Sequence, residues 1–114
     1  MNHYETIHTE TREGFEIRLS IAPEDADPRD CFIDAPEGMA DMMEKIDRGF
    51  YSWFDAKVSA HRAGIELGAD YLGGNLYENP KDFIKKGGYF EDMIENAISE
   101  ARATIEKINQ EVTP

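Results

Sequence analysis

The sequence predicts an α+β fold, in which a four-stranded, mostly antiparallel sheet is covered on one face by helices and the elements follow the order β-β-α-β-β-α. Two pairs of segments alternate apolar and polar residues, which is typical of strands with one buried face. Each pair is followed by a segment whose apolar residues recur at helical spacing. The chain has 114 residues, the usual size of one domain, so residues 1–114 are expected to form a single unit.

The first pair of strands precedes Pro23. A strand from Gly14 to Ala22 is indicated by four apolar residues that alternate with polar ones, namely Phe15, Ile17, Leu19 and Ile21. The Thr-rich stretch Tyr4–Thr11 comes before it, and residues 12–14 supply a turn. The two segments are therefore expected to pair as an antiparallel hairpin.

A loop and a first helix follow. The stretch from Pro23 to Asp34 is rich in Pro and acidic residues, which is typical of a loop. Asp34 then stands where a helix N-cap belongs, and apolar residues at i, i+3, i+4 and i+7 spacing predict a helix from Ala35 to Arg48. These residues are Met39, Met42, Met43 and Ile46.

The second pair of strands begins near Phe54 and near Ile65, and Gly73-Gly74 predicts a bulge in its second member. Asn79-Pro80 predicts a short helical turn. A long C-terminal helix is predicted from one apolar stripe at helical spacing, formed by Phe90, Met93, Ile94, Ala97, Ile98, Ala101, Ile105 and Ile108.

No motif for catalysis, for a metal or for a cofactor is recognisable, so neither an enzymatic activity nor a cofactor is expected. His3, His8 and His61 lack the spacing of metal-ligand pairs, and Cys31 has no C-x-x-C partner. The glycine pairs lack the residues of a phosphate-binding loop. An enzyme would therefore need an acid/base pair that the sequence does not reveal.

The acidic loop was also compared with a calcium-binding loop. Carboxylates alternate along it, at Asp25, Asp27, Asp30 and Asp34. The EF-hand pattern fails, because Arg29 stands at a ligand position and Asp30 stands where Gly is required. A loosely held divalent ion and a solvated acidic loop both remain open.

The net charge restricts the partners that this chain can attract. Twelve basic and twenty-four acidic residues give a formal charge of -12. Direct binding to nucleic acid or to an anionic membrane is disfavoured, whereas a basic protein surface would be attracted. No secretory signal or membrane-spanning run is recognisable, and the single cysteine fits a reducing compartment, so a cytoplasmic location is expected.

Nine of the twenty-four acidic residues fall between Glu24 and Asp47, a stretch termed here the acidic segment. It contains two bases, Arg29 and Lys45, and Arg48 follows it directly. Such an array of carboxylates can imitate the charge of a nucleic-acid backbone and so occupy a basic groove; the alternative is acidity that serves solubility alone. Trp53 is out of phase with Phe54 and is expected to face outward. The predicted partner-binding residues are Asp25, Asp27, Asp30, Asp34, Glu37, Asp41, Glu44, Asp47 and Trp53.

Four stretches in the last two thirds of the chain, at residues 53–58, 64–68, 70–74 and 89–93, resemble small accessory proteins carried by bacterial phages and mobile elements. That group includes anti-CRISPR and anti-restriction inhibitors, which are often small and acidic and lack catalytic residues. The resemblance implies an inhibitor of a nucleic-acid-handling defence complex, such as a CRISPR-Cas effector, in the cytoplasm of a bacterial host. The alternative is a regulatory or structural interaction protein, which could form a homodimer through its outer sheet face.

Overall fold

The computed structural model describes residues 3–31, 38–85 and 88–112, and it confirms the α+β architecture. Four antiparallel strands form one sheet in the order β1-β2-β3-β4. The strands are β1 (Glu5–Arg12), β2 (Phe15–Pro23), β3 (Ser52–Arg62) and β4 (Ile65–Tyr77). Neighbours in sequence are therefore neighbours in the sheet, as the two predicted strand pairs require.

Three α-helices and one 3-10 turn complete the fold of the described residues. They are α1 (Pro28–Cys31), α2 (Met39–Asp47), the 3-10 turn Pro80–Ile84 and α3 (Tyr89–Val112). The single turn α1 lies inside the stretch predicted to be a loop. A local signal for it exists, because the backbone N–H of Arg29 donates to Asp27 Oδ1 at 2.9 Å and Pro28 follows Asp27 directly.

The core lies between one face of the sheet and α3. Its fully buried side chains come from β2, β3, the 3-10 turn and α3, and the largest are Phe15, Phe83, Phe90, Ile17, Leu19, Ile94 and Val58. The predicted stripe of α3 is buried from Phe90 to Ala101, whereas Ile105 is partly buried and Ile108 is half exposed. No helix in the described ranges is long and apolar enough to cross a membrane.

Gly68 allows α3 to lie directly on β4. A Cβ atom at this position would stand 2.5 Å from the backbone nitrogen of Ala101 and still closer to the carbonyl oxygen of Ala97. Real side chains do not reach such distances, so only glycine permits this approach of the two backbones. The requirement comes from the packing of two distant segments, and nothing in the local sequence announces it.

The bulge predicted at Gly73-Gly74 is present in β4. The register between β3 and β4 shifts between Phe54 and Ala56, and Gly74 has a φ of 72°. Asn75 is buried beside it, and its side-chain Nδ2 donates to the carbonyl oxygens of Phe54 at 3.1 Å and Leu72 at 2.6 Å. The Asn75 side chain thus satisfies backbone carbonyl oxygens at the irregular part of the β3–β4 pairing.

Helix α2 differs from the prediction. It begins at Met39 and ends at Asp47, and residues 32–37, which include the predicted N-cap Asp34, lie outside the described residues. None of its residues is buried, so the prediction that its apolar stripe would enter the core is wrong. The reason is its position, because α2 makes few contacts with the sheet that α3 covers.

Candidate protein-interaction surface

The acidic segment occupies the connection between β2 and β3. These two strands are neighbours and antiparallel, so a tight turn could join them, yet the chain instead runs from Glu24 to Tyr51 before β3 begins. Within its described residues, Pro28 is the one buried side chain. A long connection that adds so little to the core is typical of segments with a role in binding.

The start of the acidic segment is fixed to the sheet by hydrogen bonds. The indole Nε1 of Trp53 donates to the carbonyl oxygen of Ala26 at 2.8 Å, and the backbone N–H of Glu24 donates to the carbonyl oxygen of Trp53 at 3.3 Å. The Glu24 carboxylate accepts from the backbone N–H groups of Ala26 at 2.9 Å and Gly74 at 3.0 Å. The loop is therefore held against β3 and β4.

Trp53 is placed on the sheet face opposite Phe54, in keeping with its phase in β3. Its indole is half-buried, because it packs where the acidic segment leaves the sheet, and its N–H is occupied by Ala26. Trp53 thus positions the loop, and part of its indole ring remains exposed to solvent. The sequence does not reveal this hydrogen bond, since its acceptor is a backbone carbonyl.

Three of the predicted acidic residues form ion pairs, two with bases of the acidic segment and one with Arg48, which follows it. The pairs join Asp27 to Arg29 at 2.6 Å, Asp41 to Lys45 at 3.1 Å and Glu44 to Arg48 at 3.0 Å. Hydrogen bonds from Arg29 lower the pKa of Asp27 to about 2. Each base of the acidic segment therefore forms an ion pair. The charges of these three carboxylates are partly neutralised, so they attract a basic partner less strongly than three unpaired carboxylates would.

Three other predicted acidic residues lie on the surface without an ion pair to a described residue. Asp25, Asp30 and Asp47 are exposed and form no ion pair with another described residue. Asp25 and Asp30 belong to the loop anchored by Trp53, whereas Asp47 ends α2. The remaining two, Asp34 and Glu37, lie outside the described residues.

The outer face of the sheet carries a buried histidine that the sequence did not single out. His61 is 6% exposed, and its Nε2 lies 2.8 Å from the hydroxyl of Ser59 and 4.0 Å from a carboxylate oxygen of Glu66. Its Nδ1 has no hydrogen-bond partner in the part of the chain that the structure describes. Burial, followed by the nearby Arg18, lowers the pKa of His61. A hydrolytic triad needs the hydroxyl and the carboxylate on opposite ring nitrogens, and here both face the same one.

Two tyrosines accompany a lysine on the same face. The ammonium of Lys57 lies 5.9 Å from the ring centre of Tyr4 and 5.7 Å from that of Tyr71, and it pairs with Glu66 at 2.8 Å. Burial opposes the charge of Lys57, but the contact with Glu66 prevails and its pKa is raised. This part of the face therefore combines a matched ion pair with two exposed aromatic rings.

The described residues contain no group of three His, Cys, Asp or Glu side chains that could hold a metal ion. Cys31 is an exposed free thiol at the end of α1. The carboxylates that motivated the comparison with a calcium loop include Asp34, which is not among the described residues. Asp27, a second member of that set, is occupied by Arg29.

Comparisons of this chain with protein-family models, with curated proteins and with solved structures found no match.

Proposed function

We propose that this chain is a protein-binding module that docks its acidic segment on a basic surface of a nucleic-acid-handling protein, and that it inhibits that protein by occupying the surface. The partner class follows from charge, since a groove that normally holds DNA or RNA is lined by Lys and Arg. The resemblance to phage accessory proteins directs the proposal toward host defence complexes of the CRISPR-Cas or restriction type.

The observation that carries the proposal is the form of the β2–β3 connection. It is long where a tight turn would serve, it leaves α2 without a buried residue, and it contains a larger share of the acidic residues than any other part of the chain. Ordering such a segment costs conformational entropy that core burial does not recover here. A binding role accounts for this cost, because the anchored loop presents Asp25 and Asp30 in fixed positions.

Attraction would act in two stages. The charge of -12 steers a basic partner toward the chain over roughly one Debye length, about 8–10 Å at physiological salt. Short-range contacts by Asp25, Asp30 and Asp47 then replace the counterions of the partner's Lys and Arg side chains. Affinity should therefore fall steeply as salt is added.

The experiment that tests this function uses the purified chain as bait in a bacterial extract, with stepwise elution by salt and identification of the eluted proteins. We expect a nuclease or another nucleic-acid-binding protein that leaves the bait at high salt. The triple variant Asp25→Asn, Asp30→Asn, Asp47→Asn should lose it, because those three exposed carboxylates form no ion pair with another described residue.

A charge-matched control separates a local surface from overall acidity. Asp92→Asn, Glu95→Gln and Glu100→Gln remove the same number of charges from exposed positions of α3. This second triple variant should retain the partner. Equal loss of the partner in both variants would contradict a role for the acidic segment and would favour acidity that acts only through net charge.

A further inference from the structure

The carboxylate of Glu24, the first residue of the acidic segment, is turned back onto the sheet. Its Oε1 accepts a hydrogen bond from the backbone N–H of Ala26 at 2.9 Å, and its Oε2 accepts one from the backbone N–H of Gly74 at 3.0 Å. Glu24 is partly buried, in contrast to the exposed Asp25 and Asp30. One carboxylate thus ties the anchored loop (residues 24–31) to a strand residue that lies fifty positions further along the chain.

The backbone on both sides of Asp25 is held by hydrogen bonds. On one side, the N–H of Glu24 donates to the carbonyl oxygen of Trp53 at 3.3 Å, which continues the pairing of β2 with β3 by one residue. On the other side, the N–H of Ala26 donates to Glu24, and its carbonyl oxygen accepts the indole N–H of Trp53 at 2.8 Å. The backbone at Asp25 is therefore fixed at both ends, while its side chain is exposed.

The bulge in β4 leaves room for the carboxylate of Glu24. A Cβ atom on Gly73 would stand 3.0 Å from Glu24 Oε2 and 3.1 Å from Asp55 Oδ1, which is closer than most real Cβ contacts. Gly74 has a φ of 72°, a conformation that glycine adopts readily, and its N–H is the one that reaches Oε2. Bulges often redirect groups of a strand next to functional sites. This one directs a backbone donor of β4 toward the anchored loop.

We propose that Glu24 and the bulge at Gly73-Gly74 form a latch, which holds the anchored loop in the conformation that the basic partner binds. Glu24 is then a positioning residue and makes no contact with the partner itself. The inference rests on the proposed function, because it states how the binding surface is prepared. A loop that is ordered before the partner arrives loses less conformational entropy on binding, so the latch raises affinity without adding a contact.

A carboxylate suits this position better than a neutral side chain of the same length. It offers an acceptor oxygen to each of the two N–H donors, and hydrogen bonds to a charged acceptor are roughly twice as strong as neutral ones. Glutamine has the same shape, but its amide nitrogen would face one of the two N–H groups, so Glu24→Gln must lose a hydrogen bond. Gly73→Ala disturbs the same carboxylate without a change of charge, because the added Cβ would press on Oε2.

Hydrogen exchange of the free chain tests the latch without any partner. In Glu24→Gln, the backbone N–H of Ala26, that of Gly74 or both should exchange about tenfold faster, the factor that corresponds to one lost hydrogen bond to a charged group. The emission of Trp53, the chain's single tryptophan, should shift to longer wavelength, because the loop bonded to its indole is released. Asp92→Asn removes the same charge from an exposed site on α3 and should leave both signals unchanged.

Hexa-arginine with blocked termini serves as the basic probe of binding at low salt. Glu24→Gln should weaken its binding about fivefold, which corresponds to the cost of ordering the backbone of one residue. Asp92→Asn should weaken it less than about twofold, because one exposed charge among many contributes little. Gly73→Ala should also weaken binding, although it removes no charge. In the background of Glu24→Ala, the substitution at Gly73 should have little further effect, because the carboxylate that it displaces is gone.

The outcomes distinguish the latch from the function on which it rests. Thermal unfolding confirms that each variant is folded, and Glu24→Gln decides the matter if Gly73→Ala does not fold. Unchanged exchange of both amides in Glu24→Gln would overturn the latch. Faster exchange, with hexa-arginine bound as tightly as by Asp92→Asn, would overturn its role in binding and leave the proposed function standing if the triple variant of Asp25, Asp30 and Asp47 still weakens the peptide. Equal weakening by that variant and by the triple variant on α3 would instead overturn the proposed function.

Discussion

At the scale of single residues, the fold depends on a few positions whose roles arise from long-range packing. Gly68 is the clearest, because its missing side chain lets the backbone of β4 meet that of α3 at Ala97 and Ala101. His61 is another, because it is buried on the outer face with one ring nitrogen unpaired. Neither role follows from neighbours in the sequence.

Replacement of Gly68 by alanine should destabilise the protein. Its added Cβ would overlap the backbone of α3, so the helix would have to move away from the sheet and loosen the contacts of Ile94 and Ile98. The expected cost is about 1–3 kcal/mol in the free energy of unfolding, the range for overpacked cores. Urea denaturation measures this loss of stability.

The control is Ala69→Ser, which adds one atom at the next residue, on the other face of the sheet. It should cost less than about 0.5 kcal/mol. Equal costs for the two variants would contradict the close approach of β4 and α3 at Gly68.

Acidification should act on stability through His61. Its pKa is lowered in the folded state, so folding favours the neutral ring. The stabilisation that comes from the neutral His61 ring is fully present above the pKa of this residue in the unfolded chain, near 6.5. It is lost as the pH falls below that value toward the lower pKa of the folded state. The stability advantage of the native protein over His61→Gln should therefore shrink between about pH 7.5 and 5.5.

Urea midpoints at both pH values test this, and the difference between the two proteins cancels the general effect of protonating the many carboxylates. The same substitution at the exposed His3 is the control for loss of a histidine. An advantage that stays constant or grows on acidification would contradict the assignment of a buried neutral ring.

At the scale of elements, the sequence predicts those that bury a regular stripe and fails for those placed by tertiary contacts. The order of the strands and the stripe of α3 follow from periods of 2 and 3.6 residues, because burial selects for both. Helix α2 has an equally regular stripe, yet it has no buried residue. Periodicity states which side of a helix is apolar, and the neighbouring elements decide whether that side is covered.

One methionine in each helix allows the difference in burial between α2 and α3 to be tested. Met93 in α3 is 4% exposed, whereas Met42 in α2 is half-buried. Met93→Ala should lower the free energy of unfolding by about 2–5 kcal/mol through a core cavity. Met42→Ala should cost less than about 1 kcal/mol, because its surroundings already include solvent. Chemical denaturation of both variants gives the comparison, and similar costs would mean that α2 belongs to the core.

The candidate interaction surface also has features that the sequence predicts and features that depend on tertiary contacts. The concentration of acids in residues 24–47 is visible in the sequence, and the structure places these residues in the connection between β2 and β3. Asp27 and Arg29 are two positions apart in the sequence, and the turn of α1 brings them into an ion pair. The sequence alone therefore does not predict that Asp27 is paired. The hydrogen bond from the Trp53 indole to Ala26 joins residues that are 27 positions apart, so only the assembled structure reveals it.

At the scale of the whole molecule, the shape is elongated. The radius of gyration is 16.9 Å and the extents are 61 × 25 × 23 Å, whereas a compact chain of this length has a radius near 13 Å. The long α3 and the position of α2 away from the core both extend the molecule. An elongated acidic body offers a partner a long, narrow surface.

The outer sheet face should not by itself hold two copies together. It carries buried hydroxyls and matched ion pairs where a stable homodimer would bury apolar side chains, and each copy bears a charge of -12. Sedimentation should therefore give the monomer mass of 13.0 kDa at both about 50 mM and about 500 mM salt. A species of twice that mass that persists at high salt would instead support the homodimer interpretation.

We propose that the acidic segment occupies a surface that otherwise holds nucleic acid, and a competition experiment can decide this. The captured partner is loaded with fluorescently labelled DNA or RNA, the chain is added, and the anisotropy of the label is followed. We expect the nucleic acid to be displaced, with a midpoint that shifts to higher concentration for the triple variant of Asp25, Asp30 and Asp47. A stable complex that contains the partner, the nucleic acid and this chain together would contradict it.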